Sequence, residues 1–182
     1  EALIDLLLSN FKTNTKALTY TIGFTFRPNN KFKFNSVLSS GFRTPNIDDI
    51  GKIRENNFIL TVPNTFLKPE YAYNIDLGFD YNFNKLLNFR IRNYVTLISR
   101  HIVRSYYSIF SDTSTENPLT IIYDGNEVST IANKNLGNRF IYGSSINLRF
   151  NFSKFLYFES NLTYTDADKS EKYGPMPSIL PF

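Results

Sequence analysis

The side chains in this 182-residue chain that could carry chemistry are few and set far apart. There is one histidine, His101, and no cysteine. That removes thiolate metal sites, disulfides and cysteine nucleophiles, and a Ser/His/Asp relay cannot be argued from a single imidazole. The carboxylates that draw notice are Asp48-Asp49 and Asp166-Ala-Asp168. A calcium loop needs oxygen donors at regular spacing around a glycine turn. The run D-A-D-K-S-E-K-Y-G at 166–174 matches that only loosely, and both groups read as solvated surface acids. Asp124-Gly125-Asn126 reads as a hairpin turn, not a phosphate cradle. No catalytic set, metal set or cofactor is assigned, and His101 reads as a hydrogen bonder rather than a metal ligand. What remains is recognition by cations, carboxylates and tyrosines in polar stretches.

The elements that must position those residues are strands. Tyr71 to Phe83 places Tyr, Phe, Ile or Leu at every odd position and Ala, Asn, Asp or Gly at every even one. Five further segments alternate with the same period of two: Leu18 to Phe26, Lys31 to Ser40, Phe89 to Leu97, Phe140 to Phe152 and Leu156 to Tyr164. Apolar residues make up 42% of the chain, with 18 Phe and 12 Tyr and no Trp. No run approaches the roughly 20 apolar residues a membrane helix needs. Barrel strands spread their apolar residues over alternate positions, so that test does not exclude them.

Charge and loop length favour strands that cross a membrane. Lys31, Lys33, Asp76, Asp80, Arg90, Arg92, Arg149 and Glu159 all take the polar face, as expected where an Arg in lipid costs about 2–4 kcal/mol. The exceptions on the apolar faces, Ser36 and Asn93, are neutral. The connections alternate short and long: turns near 28–30, 84–88 and 153–155, and polar stretches near 41–70, 105–134 and 166–182. That parity predicts periplasmic turns and extracellular loops. Phenylalanines gather by the short turns and tyrosines by the long loops, like two interfacial girdles. The net charge of +4 comes from scattered Lys and Arg, with no nucleic-acid footprint. The opening E-A-L-I-D-L-L-L is not a signal peptide, and the chain reads as an internal piece of something larger. The fold class expected is all-β, an antiparallel transmembrane barrel segment of six strands. Its first and last strands need partners, because hydrocarbon does not tolerate unpaired backbone.

Two boxes, G-F-R-T-P-N at 41–46 and N-T-F-L-K-P-E at 64–70, resemble the paired boxes that flank an extracellular loop in TonB-dependent outer-membrane receptors. Here Thr44 replaces the usual Ala and Thr65 the usual Pro. N-I-D-L-G-F at 74–79 and N-K-N-L-G-N-R-F-I-Y-G-S-S-I-N-L at 133–148 are similar to later strands of that family. The resemblance implies part of a barrel of about 22 strands, without its plug, in the outer membrane of a Gram-negative bacterium. It also implies that Gly41, Phe42, Arg43, Pro45, Asn46, Asn64, Leu67, Lys68, Pro69 and Glu70 shape the loop. Pro45 and Pro69 suit strand-to-loop transitions, since each lacks an amide donor and extends the residue before it. Arg43 is positioned to pair with Glu70 or Asp48 across the loop base.

The function implied is import energised by TonB, of a scarce nutrient such as a ferric siderophore, by a protein surrounded by outer-membrane lipid and lipopolysaccharide. Candidate cargo contacts are Arg43, Asp48, Asp49, Lys52, Arg54, His101, Arg104, Tyr106 and Tyr107. Mixed charge with tyrosines would also serve a glycan or cobalamin. Heme is disfavoured because no histidine lies between the boxes. The alternatives are a soluble β-sandwich for carbohydrate binding or adhesion, and a passive porin.

Overall fold

The structure, a computed structural model, describes residues 15–84, 86–108 and 120–168. These residues form two compact units: 18–41, 72–99 and 138–168 in one, and 15–17, 42–71, 100–108 and 120–137 in the other.

The first unit is built on a six-stranded sheet. Its strands are β1 (Thr21–Phe26), β2 (Phe32–Arg43), β5 (Glu70–Phe83), β6 (Leu87–Ser99), β10 (Asn138–Asn151) and β11 (Tyr157–Ala167), adjacent in that order. Each corresponds to one of the six alternating segments. The register puts like with like: Ile22 faces Leu38, Phe26 faces Phe34, Ile146 faces both Ile91 and Leu162, and Phe150 faces Phe158. The apolar side chains stay in the open, with Ile22 63%, Phe24 65%, Leu77 53% and Leu162 67% exposed. A soluble sandwich would cover this face with a second sheet, whereas lipid covers it without one. Near the short turns it is lined by paired rings, Phe26 stacked on Phe34, and Phe34 with Phe79 and Phe32 with Tyr81 tilted against each other.

The opposite face is hydrogen-bonded. Asp80 is buried among Lys33, Arg90 and Arg92, with Arg92 Nη1 at 2.6 Å. Arg92 reaches it by lying across Gly78, where a Cβ would meet its Cδ at 2.8 Å. Thr96 donates to Asn74 at 2.6 Å, and Tyr94 shares a 2.7 Å hydrogen bond with Thr165 over the backbone of Gly143. Asn147 donates to Glu159 and Asn161. The expected pairing of charges with the polar face therefore holds for these residues.

Short polar side chains explain the turns. Asn29 Oδ1 accepts from the amides of Lys31 and Phe32 between β1 and β2, and Ser153 Oγ accepts from those of Phe155 and Leu156 between β10 and β11. Such bonds replace the ladder where the chain reverses. β11 runs further than its alternation indicates and carries Asp166 opposite Tyr142 on the apolar face. The hydroxyls of Tyr142 and Tyr164 both donate to Asp166 Oδ2. Asp168 accepts from Arg139, which is only 4% exposed, and from the Phe140 amide. These two acids are thus structural partners rather than solvated surface charges; the rest of the run, 169–174, lies outside the described residues.

At both ends of the sheet, β1 and β11 have one neighbour each among the described residues. Those edges are where further strands must pair if the sheet lies in lipid.

The second unit holds the short helix α1 (Ile47–Gly51) and a five-stranded sheet. Its strands are β3 (Arg54–Asn56), β4 (Ile59–Thr61), β7 (Ile102–Tyr106), β8 (Thr120–Tyr123) and β9 (Asn126–Asn135), in the order β3-β4-β9-β7 with β8 also on β9. These strands arise where the sequence suggests only polar loop. Leu60, Val62, Val128 and Ala132 form its core, with Tyr107 and Ile121 against them. The β8–β9 hairpin turns at Asp124 and Gly125, both at positive φ, as Asp-Gly predicts for a two-residue hairpin.

Candidate functional site

The two boxes meet in the second unit. Asn46 caps α1: its Oδ1 accepts from the Asp49 amide at 2.8 Å, while Asp49 Oδ2 accepts from the Asn46 amide at 3.1 Å. The same Asp49 oxygen takes Arg43 Nη1 at 2.6 Å, and Arg43 Nε donates to Glu70 Oε2 at 2.6 Å. Glu70 Oε1 holds His101 Nδ1 at 2.9 Å and the Ile102 amide. One buried carboxylate thereby ties the end of β2, the start of β5 and the start of β7. Burial alone would raise the Glu70 carboxyl. The hydrogen bonds from His101, Ile102 and Arg43, and the charge of Arg43, outweigh it and hold the group at about 2 instead of 4.5. Arg43 loses some stability as a cation through burial, but Glu70 and Asp49 raise it above its ordinary value.

Asparagines fasten the rest. Asn64 Nδ2 donates to the Asn133 carbonyl at 2.7 Å and its Oδ1 accepts from the Phe66 amide. Asn133 Nδ2 donates to the Asp49 carbonyl at 3.1 Å. Asn135 accepts from the Lys68 amide and donates to the carbonyls of Lys68 and Arg100, all between 2.7 and 2.8 Å. The polar atoms of the boxes are therefore largely engaged inside the protein.

Away from this network the five-stranded sheet presents a cationic groove. Pairings of Arg54 with Thr61, Thr61 with Ile131, and Ile131 with Tyr106 put these residues on one face, together with Arg104 opposite Asn133. Arg54 and Arg104 line a single cavity of about 200 Å³ together with Asn56, Ile59, Thr61 and Ile131. A second cleft, of about 440 Å³, lies between Phe66, Lys68, Tyr107 and Lys134. Lys134 Nζ sits 5.3 Å from the centre of the Tyr107 ring, and burial lowers its pKa. Among the described residues no group of three or more His, Cys, Asp or Glu is arranged to hold a metal ion.

The sequence profile of the TonB-dependent receptor-like β-barrel family matches residues 4–181. The chain belongs to that family. It is a partial barrel of an outer-membrane receptor family, whose members are transporters. Among solved structures, the siderophore receptor PirA from Acinetobacter baumannii is similar, at 17% identity over 87% of this chain and 24% of its own, with a TM-score of 0.64. The Serratia marcescens hemophore receptor HasR, solved as a double mutant with HasA and heme, is 18% identical over 82% of this chain and 22% of its own, with a TM-score of 0.61. The ferric enterobactin receptor PfeA from Pseudomonas aeruginosa is 14% identical over 85% and 22%, with a TM-score of 0.64. This TonB-dependent receptor chain spans about a quarter of the length of those receptors. No curated protein matches it.

In this receptor the nine candidate contacts separate into four sets. Arg43, Asp49 and His101 join the Glu70 network, and Asp49, not Asp48, is the acid that Arg43 pairs with besides Glu70. Arg54 and Arg104 share the groove, with Tyr106 on the same face. Tyr107 packs on the core beside Lys134, while Asp48 and Lys52 join neither arrangement. Sequence reasoning did not single out Lys134, Asn133 or Asn135. The alternation in Asn133-Lys134-Asn135, ahead of Gly137 at positive φ, was the available sign of a strand end there.

Proposed function

We propose that the protein is a TonB-energised outer-membrane importer and that its cargo is a ferric siderophore. The single observation that carries the transport reading is the open apolar face of a six-stranded sheet whose opposite face is polar and charge-paired. A passive pore would use its lumen charges to select ions, whereas here Asp80 neutralises part of a cationic cluster through ion pairs. In this reading the connections at 41–70, 105–134 and 166–182 face outward, and the turns at 28–30, 84–88 and 153–155 face the periplasm. TonB acts on a plug supplied outside this segment, and lipid and lipopolysaccharide surround the strands. Arg54 and Arg104, which line one cavity without a carboxylate partner among the described residues, and exposed Tyr106 support an anionic iron chelate as cargo over a neutral glycan.

The test is radiolabelled iron uptake by iron-starved cells carrying the full-length receptor, with and without TonB. Uptake of at least one ferric siderophore that needs both proteins is the expected result. Uptake indifferent to TonB would refute energised import.

A further inference from the structure

We propose that the Arg54–Arg104 groove is an oxyanion subsite that takes a carboxylate of the cargo. The proposal rests on the import reading, since it names the chemistry by which that cargo is held. Arg54 stands on β3 and Arg104 on β7, with β4 and β9 between them, yet both side chains border one cavity. Two guanidiniums converging on one space repel each other unless an anion lies there. Among the described residues none is supplied. Arg43, Arg90, Arg92, Arg139 and Arg149 each have a carboxylate within 4.0 Å, whereas the side chains of Arg27, Arg54, Arg100 and Arg104 have no carboxylate partner among the described residues; of these four, Arg54 and Arg104 line one cavity. Two described acids of this unit are turned to other tasks: Glu55 accepts from the Phe58 amide, and Glu127 from the Thr120 hydroxyl.

The lining adds to the fit. Asn56 and Thr61 offer neutral donors, and Ile59 and Ile131 complete the lining. The planar guanidinium fork matches the two oxygens of a carboxylate, which is why arginine rather than lysine suits such a site. A volume of about 200 Å³ is below the range of whole-ligand pockets, roughly 300–1,000 Å³. It accommodates one acidic arm of a larger chelate, so the class inferred is a ferric complex that keeps carboxylates outside its iron shell.

The experiment is calorimetric binding of ferric citrate to the purified full-length receptor, against a ferric tris-hydroxamate without carboxylates and against inorganic phosphate as competitor. Arg54→Gln and Arg104→Gln should each weaken ferric citrate binding about tenfold, and the pair about a hundredfold. The double Lys variant should recover only part, because it keeps charge and loses the fork. Both residues are exposed, and unchanged circular dichroism of the variants separates a binding loss from misfolding. Wild-type affinity in the double Gln variant overturns the proposal, as does a wild-type preference for the tris-hydroxamate or equal competition by phosphate. Arginine-dependent citrate binding without any TonB-dependent uptake would uphold the subsite and overturn the import reading alone.

Discussion

Glu70→Gln tests whether the joined boxes form one electrostatic fastener. The substitution keeps shape but removes the charge, and places an amide donor or a single neutral oxygen against three donors: Arg43 Nε, His101 Nδ1 and the Ile102 amide. The drop of the carboxyl from 4.5 to about 2 sets a ceiling of about 3 kcal/mol, at about 1.4 kcal/mol per pH unit. Glu70 is 11% exposed, but the Arg43 side chain is 48% exposed. Solvent screening on that side brings the loss to about 2 kcal/mol, or roughly 30-fold in a local opening equilibrium. The sign follows from the lowered value. The contribution is fully present above about 4.5, the unfolded value, and is lost as pH falls from there through about 2. The assay is amide hydrogen exchange on the full-length receptor, following Ile102 and the peptides around 43–49, corrected for intrinsic rates. Wild type should lose protection between about pH 4.5 and 2, and Glu70→Gln should show that loss already at neutral pH and change little below it. Equal protection of the two proteins at neutral pH would refute the reasoning.

Gly143→Ala should destabilise the sheet by about 1–3 kcal/mol, because the new methyl would sit 2.6 Å from the Tyr164 carbonyl oxygen and from the Tyr94 ring. Gly23→Ala, with nothing nearer than 3.9 Å, should change little in the same urea titration in detergent. Leu77→Arg puts a cation on the apolar face, where it costs about 2–4 kcal/mol near mid-bilayer, and should abolish heat-modifiable barrel in outer-membrane fractions. Asp76→Asn on the opposite face should assemble normally. Similar assembly of Leu77→Arg would reverse the assignment of the two faces.

How much could be read in advance depended on the range of the forces. The six long strands were legible because alternation is local: Leu77 and Asp76 declare opposite faces from neighbouring positions. Asn29 and Ser153 likewise mark their turns within three residues. The second sheet was not legible. β3 and β4 are three residues each, too short for a period, and β4 pairs in parallel with β9 some 70 positions later. Asp166 escaped for a similar reason, since only its register opposite Tyr142 reveals a carboxylate on the apolar face between two hydroxyls.

By itself the sequence determined the two-faced strands, the alternation of their connections, and the resemblance of its boxes to a receptor family. All of these follow from side-chain periodicity and short motifs. The tertiary structure decided which acid meets Arg43, which asparagines hold the boxes, and which two arginines share a groove. Asp48 and Asp49 are adjacent in the chain, and only the capping geometry at Asn46 turns Asp49 toward Arg43. Arg54 and Arg104 become neighbours solely through pairing across β4 and β9. Such convergence depends on contacts distant in sequence, and those are set by the packed sheet rather than by any local pattern.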